Sequence, residues 1–118
     1  MNKFEFYICK ECGNLQVIQK GETPLECCLK NPKKLIPRLF KEDFLEIEEK
    51  KNNLLVHSNY MNTEEKCINC LCFVNDNNFV IDYYFPYEEV NLEIPNEKGI
   101  LYIQINKELY KLEIENAK

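Results

Sequence analysis

The chain has 118 residues, a length that suits one domain or a small module joined to a larger one. Hydrophobic residues make up 45% of it, with seven Phe and seven Tyr, so a buried core can form. The formal net charge of −5, with acidic and basic residues interspersed, argues against nucleic-acid binding, which needs a basic patch to neutralise phosphates.

The beginning of the sequence predicts no signal peptide, because residues 1–3 lead into a short alternating segment instead of an apolar run. No stretch approaches the roughly 20 apolar residues of a transmembrane helix, so we expect no membrane association. We expect a cytoplasmic protein, in which thiols stay reduced and clustered cysteines bind metals more often than they form disulfides. The odd count of seven Cys also argues against a fully paired disulfide framework.

The N-terminal part predicts two strands around a tight turn. Apolar and polar residues alternate over 4–8 and again over 15–19, which is the period of a β-strand. The segment 9–13 between them is predicted to be the turn. The lysine-rich stretch 32–37, bracketed by two prolines, is interpreted as a linker. The basic cluster around it, Lys30, Lys33, Lys34 and Arg38, is interpreted as part of this solvated linker rather than as a docking patch for an acidic partner.

The remainder of the chain predicts a small β-sandwich. Residues 38–51 are ambiguous, and we predict one helical turn that runs into a strand. Short runs rich in β-branched and aromatic residues follow, separated by turn residues, and this pattern is typical of a sandwich. The predicted strands are 68–74, 79–85, 90–94, 100–105 and 109–114. We therefore predict a metal-binding module over 1–37 and a sandwich over 38–118.

The candidate metal ligands are two close pairs of cysteines, Cys9 with Cys12 and Cys27 with Cys28, separated by fourteen residues. A Cys-x-x-Cys sequence places two sulfurs on one side of a tight loop, and Gly13 relaxes the backbone so that amide N–H groups can point at sulfur. Four thiolates from two segments fit a closed tetrahedral site, which selects zinc or iron. One ion would cross-link a segment too short to fold by apolar burial alone. We therefore predict one shared ion rather than four unrelated buried cysteines.

The adjacency of Cys27 and Cys28 adds a geometric requirement. Neighbouring side chains of an extended strand point in opposite directions. The backbone must therefore turn at this pair for both sulfurs to reach one ion, and we expect a distorted tetrahedron.

The sequence FYICKECGN over 6–14, followed by Gly21, Pro24-Leu25 and the adjacent cysteines, resembles desulforedoxin and the N-terminal module of desulfoferrodoxin. The KLIP sequence over 34–37 is similar to the segment that leaves that module. The resemblance implies one iron per chain, held by the four cysteines in a rubredoxin-like, distorted centre, and a homodimer. The rest of the chain bears a weaker similarity to the family's superoxide reductase domain, which implies a mainly β fold with an immunoglobulin-like sandwich.

The chain departs from that family at the second iron site. The family builds this catalytic site from four histidines and one cysteine, whereas this chain contains one histidine, His57. The MNTEEK stretch over 61–66 is similar to the family's His-Pro-Met…Glu-Glu-His stretch, yet it has Lys66 where a ligand is expected. The segment 103–108 contains neither Cys nor His. We therefore predict that superoxide reduction by that site is absent.

Three functions remain open at this point. The first is a one-electron carrier with iron in the four-thiolate site, which exchanges electrons with a redox partner protein. The second is a non-enzymatic interaction module in which the same cysteines hold structural zinc. The third is a superoxide or peroxide reductase with an altered site in the sandwich, which would need a second metal with an open coordination position.

The remaining cysteines and the histidine are interpreted structurally. In a strand over 68–74, Cys70 and Cys72 share a face with Ile68, and Cys67 takes the other face. Cysteine packs as a small hydrophobe, so we predict that these three cysteines fill the core rather than form a second thiolate site. His57 is predicted to be structural or solvated, because a single imidazole cannot build a metal site without partners.

Overall fold

The computed structural model describes residues 3–115, and this part of the chain is built from β-strands without a helix. The mainly β fold predicted from the sequence is therefore confirmed. No helix of the length and apolar character needed to cross a membrane occurs in the described part. In chain order the strands are β1 (Phe4–Ile8), β2 (Leu15–Gln19), β3 (Lys33–Leu35), β4 (Arg38–Leu39), β5 (Leu45–Glu49), β6 (Asn53–Ser58), β7 (Ile68–Val74), β8 (Phe79–Tyr83), β9 (Asn91–Pro95), β10 (Gly99–Ile105) and β11 (Glu108–Ile114).

The N-terminal strands form a three-stranded antiparallel sheet in the order β2-β1-β3. The linker predicted over 32–37 is wrong, because its centre is β3, which pairs with β1 and places Leu35 opposite Phe6. Without β3, one edge of β1 would present unpaired N–H and C=O groups, which proteins usually cover. A short strand between two prolines satisfies these groups while its lysines stay exposed.

The sandwich consists of a five-stranded sheet, β4-β11-β10-β7-β8, and a three-stranded sheet, β5-β6-β9. Alternate residues of the central strands point into the space between the two sheets, as the period of a strand requires. These side chains are almost completely buried and form the main core, to which Phe73, Leu71, Ile103, Leu101, Ile94 and Val56 contribute.

A second apolar core joins the N-terminal sheet to the outer face of the five-stranded sheet. Phe6 and Leu15 lie in one cluster with Cys70, Cys72 and Tyr102. The rings of Phe6 and Tyr102 are 4.5 Å apart between centroids. The central strands of the large sheet are therefore covered on both faces. The division of the chain after residue 37 stays a prediction, and the two parts share this core.

The helical turn predicted within 38–51 is wrong. Residues 38 and 39 instead form β4, which runs parallel to β11, and the N–H of Phe40 donates to the carbonyl of Lys111 at 2.9 Å. The buried rings of Phe40 and Phe44 meet edge to face at 5.3 Å. Their helix-like spacing arises because the chain bends between them and returns both side chains to one core.

A β-bulge decides which face Ile68 occupies. β7 pairs with β10 so that Cys70 lies opposite Gln104 while Ile68 lies opposite Ile105, which leaves Asn69 as an extra residue. The bulge turns Ile68 into the core between the two sheets, whereas Cys70 faces the second core. The prediction that these two residues share a face is therefore wrong, because the strict alternation it assumed is interrupted at Asn69.

Candidate metal centre

The structure brings the four predicted cysteines together at one end of the N-terminal sheet. The sulfur atoms of Cys9, Cys12, Cys27 and Cys28 all lie within 4.8 Å of one another, and those of Cys12 and Cys27 are 3.5 Å apart. All four are free thiols. Sulfurs around a tetrahedral ion with bonds of ~2.3 Å are separated by roughly 3.8 Å. The donor set therefore fits an ion bound by four thiolates.

The first pair lies on a loop that closes the β1–β2 hairpin. The N–H of Cys9 donates to the carbonyl of Asn14 at 3.0 Å, and the N–H of Gly13 donates to the carbonyl of Cys9 at 2.8 Å. Gly13 has a φ of 78°, a left-handed conformation that side chains disfavour. Within the loop, the backbone N–H groups of Cys12 and Glu11 donate to the Cys9 sulfur, and with the neighbouring thiols they lower the pKa of Cys9 to about 6.

The second pair is presented by a strained two-residue turn. Cys27 and Lys30 exchange backbone hydrogen bonds of 3.0 and 3.1 Å, and the two residues between them, Cys28 and Leu29, have φ values of 54° and 61°. These are the features of a type I′ turn, which normally holds Asn or Gly. The left-handed conformation costs about 1–2 kcal/mol for each other residue. The turn explains how adjacent cysteines can face one centre.

The four thiols differ in exposure and in acidity. Cys9 is buried, Cys27 is half-buried, and Cys12 and Cys28 are exposed. Hydrogen bonding with Cys12 and Cys9 raises the pKa of Cys27 to about 12, and the same neighbours raise the pKa of Cys28. The cluster therefore resists ionisation of all its thiols, and a bound cation would remove this resistance. This charge requirement also fits a metal site.

Two side chains of the sandwich donate hydrogen bonds to backbone carbonyls of the first cysteine loop, and neither residue was predicted from the sequence. Nε2 of Gln104 donates to the carbonyl of Gly13 at 3.0 Å and to that of Asn106 at 2.8 Å. Nζ of Lys107 donates to the carbonyl of Lys10. Gln104 is 2% exposed on an otherwise apolar strand, which was a detectable signal. Nothing local in the sequence marks Lys107.

The other three cysteines are buried away from this centre. Burial raises the pKa of Cys70, and it raises the pKa of Cys72 to about 12, so both stay protonated and unreactive at neutral pH. Cys67 is 3% exposed and accepts a hydrogen bond from Nδ2 of Asn69 at 3.3 Å. All three are therefore buried, as predicted, and Cys70 and Cys72 belong to the second apolar core. Over residues 3–115, only Cys9, Cys12, Cys27 and Cys28 form a group of three or more His, Cys, Asp or Glu placed to hold a metal.

Lys66 and His57, the residues that mark the departure from the family's second iron site, contact other side chains. Nζ of Lys66 lies 4.4 Å from the ring centroid of Phe44 and 5.3 Å from that of Tyr60, within the range of cation–π attraction. Nε2 of His57 lies 3.5 Å from a carboxylate oxygen of Glu48 on the neighbouring strand. An ammonium packed on two aromatic rings thus stands where the resemblance expects a histidine ligand.

The fold and the site define a class: an all-β protein in which a small sheet carries a four-cysteine site that could bind a metal and packs on a β-sandwich. No family model matches the sequence, and no curated protein does either. Among solved structures, the chain is similar to the superoxide reductase from Treponema pallidum, with a TM-score of 0.71 and 10% identity over 95% of this chain and 99% of that one. At this identity the likeness shows the fold, and membership of the desulfoferrodoxin family stays a prediction.

Proposed function

We propose that this chain is a one-electron carrier whose redox centre is one iron ion held by Cys9, Cys12, Cys27 and Cys28. The observation that carries the proposal is the convergence of four free thiols, whose sulfur atoms all lie within 4.8 Å of one another. Iron bound by four thiolates supplies a ferric–ferrous couple. The four cysteines would fill all four positions around the ion and leave none for a substrate, so the bound iron would supply outer-sphere electron transfer.

The exposure of the cluster supports this function. Cys12 and Cys28 reach the surface, which brings one edge of the centre within reach of a partner protein. Leu29, beside Cys28, is 97% exposed, and Leu25 is 77% exposed. Exposed apolar side chains around a redox edge suit a transient contact, in which water is displaced briefly and the partner leaves quickly.

We assign the sandwich a supporting role. The solved neighbour is a superoxide reductase, but in this chain the Lys66 ammonium is packed on Phe44 and Tyr60. A cation held in that position opposes the binding of a second cation there. This arrangement favours the thiolate cluster as the redox centre and argues for a scaffold in which the sandwich holds the cysteine loop.

The test is metal analysis with an absorption spectrum on protein expressed in iron-rich medium and purified without oxygen. We expect one iron per chain and, in the oxidised form, a red colour that dithionite bleaches and air restores. Cys28→Ser should abolish the colour, because it removes one of four ligands. Cys70→Ser is the matched control, and its spectrum should be unchanged because Cys70 lies in the second core.

A colourless protein with stoichiometric zinc from the same medium would contradict the electron carrier. It would support the structural zinc module, which predicts unfolding of the N-terminal part on chelation and no reversible redox wave. The homodimer and the cytoplasmic location are further proposals. Light scattering on the eluting protein tests the first, and fractionation of the source cells tests the second.

A further inference from the structure

One of the connections between the sandwich and the cysteine loop runs through a single peptide group of that loop. Nζ of Lys107, on the turn between β10 and β11, donates to the carbonyl oxygen of Lys10, 97 residues away in sequence. That carbonyl and the N–H of Glu11 belong to the same peptide group. The backbone N–H of Glu11, two residues after Cys9 in the loop, is one of the two backbone groups that lower the pKa of the Cys9 thiol. The ammonium therefore binds the carbonyl end of the peptide group whose N–H end acts on the Cys9 sulfur.

We propose that Lys107 is a positioning residue that raises the reduction potential of the four-cysteine centre through the peptide group between Lys10 and Glu11. This inference rests on the proposed function. An ammonium at a carbonyl oxygen polarises the peptide and makes its N–H a stronger donor. A stronger N–H···S bond stabilises the additional negative charge that the centre carries when reduced.

The turn that carries Lys107 is fixed by the body of the sandwich. Asn106 adopts a left-handed φ of 56°, which Asn tolerates better than most residues. Its Oδ1 accepts from the N–H of Cys67 at 3.1 Å, its N–H donates to the carbonyl of Cys67 at 3.0 Å, and its Nδ2 donates to the carbonyl of Glu65 at 2.9 Å. These three bonds hold the backbone beside Lys107 in place.

A second contact limits the movement of the same loop. Gln104 is buried, and its Nε2 is shared between the carbonyls of Gly13 and Asn106. A buried amide is costly unless its hydrogen bonds are made, so this side chain keeps the end of the loop at a fixed distance from the turn. Gln104 thus helps to keep Nζ of Lys107 within hydrogen-bond distance of the Lys10 carbonyl.

The decisive variant is Lys107→Met, which keeps most of the apolar stem and removes the ammonium. The midpoint potential of the iron-loaded full chain is measured by spectroelectrochemistry. At a fixed applied potential near the midpoint, we expect the ratio of reduced to oxidised protein to fall roughly fivefold, the effect of losing about one hydrogen bond's worth of stabilisation. Lys107→Arg, which keeps the charge, should recover most of this ratio.

Lys30→Met is the matched control. Lys30 also carries an exposed ammonium near the cluster, but this ammonium is paired with the Glu11 carboxylate at 2.6 Å, and within residues 3–115 it donates to no backbone carbonyl. Its replacement should change the ratio far less than Lys107→Met does. Equal shifts for the two variants would show that only charge at a distance matters, and an unchanged potential in Lys107→Met would overturn the inference outright.

A cobalt-loaded form separates this inference from the proposed function. Cobalt(II) bound by four thiolates shows sulfur-to-metal charge-transfer bands, and these bands report on hydrogen bonding at sulfur. Lys107→Met should move them to lower energy while Lys30→Met leaves them in place. If the native metal proves to be zinc, the electron carrier is refuted, but the cobalt bands still test Lys107, and bands at the same energy in both variants would refute its role.

Discussion

At the scale of single residues, the backbone strain of the Cys27–Lys30 turn can be relieved at Leu29 without changing a metal ligand. Leu29 is nearly fully exposed and has a left-handed φ, so its side chain adds strain without a compensating buried contact. We expect Leu29→Gly to stabilise the turn by up to about 1 kcal/mol. The measurement is the rate at which a chelator removes the metal, which should fall.

Leu25→Gly is the control for that experiment. Leu25 is also exposed and belongs to the same loop, but its φ is not left-handed. Its N–H donates to Oε1 of Gln16 at 3.0 Å, and its carbonyl accepts from Nε2 of Gln16 at 2.7 Å. Glycine there adds chain entropy to the unfolded state without relieving strain. Faster metal loss in both variants would contradict the strain argument.

A second prediction at this scale concerns the protons released on metal binding. The pKa of Cys9 is lowered to about 6, so in the metal-free protein this thiol is largely ionised at pH 7.5 and largely protonated at pH 5. Binding of Zn²⁺ at pH 7.5 should therefore release fewer than four protons per site, and more at pH 5. Calorimetry in buffers of different ionisation enthalpy counts them. An equal count at both pH values would show that Cys9 is not ionised.

At the scale of elements, the contact between β7 and β10 depends on a glycine. A Cβ at Gly99 would lie 2.5 Å from Cζ of Phe73 and 2.8 Å from the carbonyl oxygen of Val74. We expect Gly99→Ala to lower the free energy of unfolding by about 1–3 kcal/mol, because the ring must move within a filled core. Urea unfolding measures this loss. Adding Phe73→Leu should recover part of it, and strictly additive losses would contradict the proposed clash.

Strand β7 was predicted correctly in position but not in the orientation of all its side chains. Alternation located β7 correctly, yet the face of Ile68 was assigned wrongly because a bulge at Asn69 shifts the register. A bulge is fixed by the partner strand, here the Gln104–Ile105 step of β10. The position of β3 escaped prediction for the same reason: its residues form a strand because β1 offers an edge, and their own sequence does not favour one.

At the scale of the whole molecule, the second core predicts joint unfolding of the N-terminal sheet and the sandwich. Phe6 is 2% exposed, and its ring packs against the ring of Tyr102 in the large sheet. We expect the metal-loaded protein to melt in one cooperative transition, and Phe6→Ala to destabilise it by about 3–5 kcal/mol. Ile47→Ala, at a position 42% exposed on β5, is the control and should change stability little. Two separate calorimetric transitions would show that the cores are independent.

Local sequence patterns were enough to locate the strands with clear alternation and the four cysteines that converge. Both depend on local information: a period of two residues, and two close pairs of one reactive residue type. Three features are visible only in the folded chain: Gln104 and Lys107 contact the cysteine loop, Ile68 faces the main core, and the Lys66 ammonium packs on the Phe44 ring. These features join residues distant in the chain, and the free energy that selects such contacts comes from the packing of whole sheets, which no local pattern encodes.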